Sequence, residues 1–312
     1  MKPILIAHRG ASGYLPEHTL PAVVAAHVMG ADYIEQDIVL SRDGIPLVLH
    51  DIYLETTTDV AVKFPGRDRS DGRFYAIDFD LDEIKSLSVH ERVDGSGTAV
   101  FGSRFPVVDM ALRIPTLAEE ITLINGLNHS RSRSAGYYIE LKAPALHRAA
   151  GLDIATITLE LLEGAGLNTP NAPVFLQCFD PATLRQLKTE LATPLPLIQL
   201  IADNAWGEVP GIDFQAMQSD RGLAEIADYA DGIGPWIPQL FETDGTTPGE
   251  LVQNAHHHGL LVHTYTLRAD NLEAGFQTFD ALQEGVFIRA GVDGAFSDFS
   301  DLTRRFIDGM DR

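Results

Sequence analysis

Short apolar runs rich in β-branched residues recur at residues 4–8, 33–39, 46–49, 137–141, 174–178, 196–200, 232–234, 261–266 and 294–297. Runs of this length bounded by polar residues predict strands. Helical spacing of apolar positions fills most of the gaps, over 19–29, 117–124, 154–163, 181–190, 222–229, 248–257 and 281–289. Such alternation predicts parallel strands joined by crossover helices. The second and third strands break the pattern, being separated only by a turn around Ser41-Arg42-Asp43-Gly44. Asp-Gly suits a tight hairpin, which needs positive φ angles. With that return strand set aside, eight βα units remain, which argues for a closed (β/α)8 TIM barrel rather than an open sheet.

Residues 52–113 lose the periodicity and carry Arg, Asp and Gly clusters such as Phe64-Pro65-Gly66-Arg67. They read as an insertion over the barrel mouth, so that residues 1–312 form one domain. A chain with 45% hydrophobic and 21% charged residues can bury such a core. Acidic residues outnumber basic ones 44 to 23, a surface that repels phosphate backbones and anionic headgroups, so no nucleic-acid partner is expected. A small phosphate-bearing substrate stays admissible, because a bound cation reverses the field locally. A single cysteine, Cys178, excludes an intrachain disulfide and a thiolate metal cluster. The apolar run at the N-terminus is too short for a signal peptide, and no segment reaches transmembrane length. As written the chain is expected to be cytoplasmic, without stable membrane insertion, or periplasmic if an export signal has been removed. These patterns do not set the oligomeric state.

Barrel active sites form at the C-terminal ends of the strands, and several ends here are polar. The first ends in His8-Arg9-Gly10: a titratable imidazole, a guanidinium suited to phosphate, and a glycine that allows close backbone approach. Glu35 and Asp37 lie two residues apart on the second strand and so share a face. Two carboxylates on the inner face of an apolar strand call for a cation between them. His50-Asp51 brings a second histidine beside the same strand, which suits an acid and base pair. Glu140 and Lys142 close the next barrel strand; Glu140 completes a three-carboxylate site and Lys142 can meet phosphate. All-oxygen ligands favour one hard divalent cation, Ca²⁺ or Mg²⁺. Phe179, Trp236 and Phe296 fall near strand ends and are candidates for a glycerol pocket, with core packing as the competing role.

Other features carry less. His256-His257-His258 ends a helix before Gly259, where polar caps are ordinary. Ser12 lacks the nucleophile-elbow spacing and reads as a turn residue. Glu17 and Thr19 read as residues that cap and orient the first helix.

The run His8-Arg9-Gly10-Ala11-Ser12-Gly13, then Pro16-Glu17-His18-Thr19, Glu35-Gln36-Asp37, His50-Asp51 and Glu140-Leu141-Lys142 resembles the glycerophosphodiester phosphodiesterase family. The likeness continues through Asp71-Gly72-Arg73-Phe74-Tyr75 and the last two strands, and it is strongest to the bacterial periplasmic-type branch. Many members carry Asn where this chain has His18. The resemblance implies a metal-dependent hydrolase that releases glycerol 3-phosphate and an alcohol. By position it implies His8 and His50 as acid and base, Arg9 and Lys142 on phosphate, and Glu35, Asp37 and Glu140 on the metal. Attack by the neighbouring glycerol hydroxyl, through a cyclic phosphate, and direct attack by water are both compatible with it.

Two other readings compete. A phospholipase D-like or phosphoinositide-cleaving lipase would want an exposed apolar rim, where the insertion shows Arg, Asp and Gly. A non-catalytic glycerophosphodiester-binding protein would need no histidine pair.

Overall fold

The computed structural model describes residues 2–310. Nine strands form one sheet: β1 (Ile4–Ala7), β2 (Tyr33–Leu40), β3 (Pro46–Val48), β4 (Gly136–Leu141), β5 (Val174–Cys178), β6 (Leu197–Ile201), β7 (Gly232–Pro235), β8 (Leu261–Leu267) and β9 (Gly294–Ser297). All neighbours are parallel except β2 and β3, and a pairing of β1 with β2 closes the ring. Eight parallel strands therefore make the barrel, with β3 folded back along the far end of β2.

Side-chain alternation sorts the strands into two faces. Ile34 and Ile38 point outward into the large cluster between barrel and helices. Ile6, Tyr138, Ile198 and Phe296 fill the barrel interior. The inward face of β2 also carries Glu35 and Asp37, and their neighbours in register are Tyr138 and Glu140 on β4. Next around the ring, Glu140 pairs with Gln177 of β5. Parallel register alone thus sets Asp37, Glu140 and Gln177 at one level.

In the hairpin, Gly44 alone takes a positive φ, of 78°. Asp43 contributes through its carboxylate instead, accepting from Ser41 Oγ at 2.6 Å and from the Leu81 amide. Several helices differ from their predicted spans. The one expected over 117–124 continues to Arg131, and those after β5 and β8 pass into π-helical turns. A helix over Ser300–Gly309 has no counterpart in the apolar pattern, because it buries only Ser300, Thr303 and Ile307.

Residues 52–113 hold short helices and isolated bridges such as Thr58 to Val89. Leu54, Val60, Phe74, Phe79, Ile84 and Val89 pack there against Val39 and Leu47 of the hairpin, in a cluster of their own. The segment is not uniformly polar outside: Val62, Val100, Val107, Val108 and Met110 are exposed. The charged and glycine-rich surface expected from its sequence is therefore interrupted by an apolar stretch. No helix among the described residues is long and apolar enough to cross a membrane.

Candidate active site

The β1 end turns sharply to make the site. Arg9 adopts a left-handed φ of 54° and Gly10 one of 81°. A Cβ on Gly10 would lie 2.9 Å from the Ala22 backbone, so only glycine lets this turn rest on the first helix. That helix, Leu20–Met29, is capped by Thr19, as expected. Glu17 is not a cap. It pairs with Arg9 at 3.1 Å and with Arg92 of the insertion at 2.6 Å. Ser12 is a turn residue whose hydroxyl donates to the His8 carbonyl.

Glu35, Asp37 and Glu140 converge, with one oxygen from each lying within 4.8 Å of the others, and all three are buried. Burial favours the neutral form of each. It raises Glu35 well above the usual carboxylate range and takes Glu140 up to about 8, with the charge of Asp37 adding to both. Asp37 is held low despite burial, by His50, His18 and Lys142. Among the described residues Asp37 Oδ1 has no hydrogen-bond partner. Three crowded carboxylates with an unused oxygen are the donor set that a hard divalent cation satisfies, so the residues fit a metal ion.

Cationic and amide groups enclose the cluster. The Arg9 backbone amide donates to Glu35 Oε2 at 2.9 Å, and Gln177 Nε2 donates to Glu35 Oε1 at 3.1 Å. His18, also left-handed with φ 57°, places Nε2 2.7 Å from Asp37 Oδ2. Lys142 Nζ lies 2.8 Å from Glu140, and both are buried, not exposed at the rim as a plain surface ion pair would be.

Two histidines face this cluster in one arrangement. His8 Nδ1 lies 2.6 Å from Asp298, leaving Nε2 3.8 Å from Glu35. His50 Nδ1 lies 2.5 Å from Asp51. Burial, then Arg9, pushes His8 down to about 4; burial, then Arg9 and Lys142, pushes His50 down to about 3. Each aspartate is tied in turn to an insertion arginine. Arg92 donates to Asp51 at 2.7 Å, and Arg104 to Asp298 at 2.6 Å. Sequence reasoning missed both aspartates as partners, both arginines and Gln177. The contacts span 41 and 194 residues, beyond the reach of any local pattern.

A cavity of about 310 Å³ opens above the cluster. His8, Arg9, His50 and Lys142 line it together with Phe179, Trp206, Glu208 and Trp236. Phe296 reaches it from below, 6.4 Å from the His8 ring. The histidine run lies elsewhere: His256 binds Asp293 and His258 binds Asp220, at 2.8 Å each.

Residues 8–302 match the Glycerophosphoryl diester phosphodiesterase family. The chain belongs to that family. Among its relatives in the family, a glycerophosphodiester phosphodiesterase of Haemophilus influenzae is 39% identical over 98% of this chain and 90% of its own length. One of Treponema pallidum is 34% identical over 97% and 91%. The fold agrees with family structures. A Silicibacter pomeroyi protein solved as a candidate glycerophosphoryl diester phosphodiesterase superposes with a TM-score of 0.73 at 24% identity, covering 99% of this chain and 94% of that one. An Oleispira antarctica phosphodiesterase, solved with the product sn-glycerol-3-phosphate, gives 0.67 at 22%, covering 98% and 97%.

Proposed function

We propose that this enzyme hydrolyses glycerophosphodiesters to glycerol 3-phosphate and an alcohol, with His8 and His50 as its acid and base. The observation that carries the reading is the paired histidines: each is fixed at Nδ1 by an aspartate, and both line the cavity above three clustered carboxylates. An aspartate on Nδ1 fixes the tautomer, so that Nε2 is the nitrogen that moves a proton.

One histidine takes the proton of the glycerol hydroxyl beside the phosphate, and that oxygen bonds to phosphorus. The bond from phosphorus to the alcohol oxygen breaks, and the other histidine protonates the departing alcohol. Water then opens the cyclic phosphate with the roles reversed, giving glycerol 3-phosphate. Arg9 and Lys142 hold the phosphoryl oxygens, where the negative charge that develops during transfer most needs stabilising. Glu35, Asp37 and Glu140 would hold Ca²⁺ or Mg²⁺, which supplies Lewis-acid stabilisation of the same oxygens. Phe296 and Phe179, with Trp236 at the edge, would flank the glycerol. The insertion belongs to this same catalytic unit, since Arg92 and Arg104 reach behind both histidines.

The test is release of glycerol 3-phosphate from glycerophosphocholine with chelator and after Ca²⁺ or Mg²⁺ add-back. Loss and restoration are expected; absence of product with either metal would overturn the reading. The exposed Val100, Val107, Val108 and Met110 favour one rival, a lipase working at a lipid surface. Activity on vesicles but not on soluble diesters would select it.

A further inference from the structure

We propose that the outer wall of the cavity is a subsite for a cationic leaving alcohol, of the ethanolamine or choline type, built by Trp206, Trp236 and Glu208. The proposal rests on the phosphodiesterase reading and assigns the alcohol side of that substrate.

Trp206 ends the short 3-10 turn Asn204–Trp206 after β6, and Trp236 directly follows β7. Their ring centroids are 5.1 Å apart and the planes are tilted by 59°, so they form two walls of a corner and not a stacked pair. Trp206 is 47% exposed, an unusual cost for an indole without a ligand. Trp236 is held at the strand end by its backbone amide, which donates to Gln239 Oε1 at 2.9 Å. Glu208 lines the same wall and has no hydrogen-bond or ion-pair partner among the described residues, although its charge is felt by Lys142 and Tyr265.

The cations that line the cavity are already committed to carboxylates. Lys142 is paired with Glu140, Arg9 with Glu17, and Arg268 gives its Nε to Asp298 at 3.1 Å. Those groups serve the phosphate. Glu208, two residues after Trp206, is an acidic group of the wall that carries the indoles. Aromatic faces with a nearby carboxylate select an ammonium, and a quaternary one most clearly, because it cannot compete for hydrogen bonds. In such diesters the ammonium sits two carbons from the phosphate ester oxygen, and Arg9 lines the same cavity as both indoles.

The experiment compares kcat/KM for glycerophosphocholine and for the neutral glycerol diester in the metal-loaded enzyme and in Trp206→Ala, Trp206→Phe and Glu208→Gln. The loss in Trp206→Ala and Glu208→Gln is expected to be about tenfold greater for the choline diester. Trp206→Phe should recover part of it. Equal losses on both diesters, or none, would overturn the subsite. If the unmodified enzyme cleaves neither diester, the phosphodiesterase reading falls and binding still decides the subsite. The chain has two tryptophans and both stand in this wall, so choline, but not glycerol, should quench the indole emission. No quenching would overturn the proposal.

Discussion

The two histidine arms of the site share one design in different settings. On the barrel arm, His8 leans on Asp298, and Asp298 receives Arg104 and Arg268 as well. The side chains of His8, Asp298 and Arg104 are 9%, 1% and 5% exposed. On the hairpin arm, His50 leans on Asp51, which receives Arg92 and the Thr56 hydroxyl. Here exposure rises to 30% for His50 and 14% for Asp51. The same hydrogen-bond logic is thus built once inside the core and once at the root of the insertion. The barrel arm should couple chemistry to stability, whereas the hairpin arm should affect chemistry with less cost to the fold.

The largest effect should come from loss of the imidazoles. His8→Gln and His50→Gln are each expected to lower kcat by about 10²–10⁴-fold. Combining them should cost scarcely more than either alone, because both serve one proton circuit. Steady-state kinetics on a soluble diester checks this, and fully multiplicative losses would mean the arms do not act as a pair.

The aspartates come next. Asp298→Asn removes the counter-charge of two arginines in a dry setting and should destabilise by about 3 kcal/mol. Asp51→Asn leaves Arg92 still bound to Glu17 and should cost about 1 kcal/mol. Both should slow turnover, since neither amide holds the imidazole in the same tautomer. Equal falls in melting temperature would break the contrast between a core arm and an insertion arm.

The arginines sharpen it further. Arg92 gives two donors to Glu17 and one to Asp51; Arg104 gives two to Asp270 and one to Asp298. Arg92→Met and Arg104→Met are each expected to lower kcat about tenfold with a smaller change in KM, as for other groups that orient a functional side chain. Lysine should restore little, because it cannot supply the planar fork. In a double-mutant cycle Arg92 should couple to Asp51 and add independently with Asp298.

How far this was legible in the sequence follows from the range of each contact. The strand ends that carry His8, Glu35, Asp37 and Glu140 are visible because a period of two and an apolar run report their own geometry. Barrel closure follows from counting units. The arginines behind the histidines were hidden because they lie in the segment without periodicity, and their partners are set by tertiary folding alone. Trp206 and Glu208 were hidden for a related reason, since a short turn after a strand carries no repeat to mark its face. The helix Ser300–Gly309 escaped because most of one face is solvated, so its apolar pattern is thin. His18, given no role by the apolar pattern, holds Asp37 directly.

The last expected effect concerns acid, and it separates the buried histidines from the carboxylates that tie the insertion. The barrel buries His147, whose ring nitrogens have no partner among the described residues, and burial lowers it to about 4. A histidine with a folded pKa below its unfolded value of about 6.5 stabilises fully above that value, and the contribution is lost as pH falls from 6.5 towards 4. The carboxylates that tie the insertion behave differently. Burial opposes their ionisation, yet Arg9 and Arg92 hold Glu17 low, His50 and Arg92 hold Asp51 low, and His8, Arg268 and Arg104 hold Asp298 low. Their contribution is present above the unfolded carboxylate range and is lost only in stronger acid. Falling pH should therefore act on the buried imidazoles, His147 and His8 before His50, while the carboxylate ties of the insertion hold. His147→Leu removes the titrating group without orphaning a partner. Its stability relative to the parent should rise by up to about 1.4 kcal/mol per pH unit on going from 6.5 towards 4, the slope for one proton. Urea unfolding at pH 7, 6 and 5 measures this difference, and parallel curves would show that the buried imidazole is not what acid attacks first.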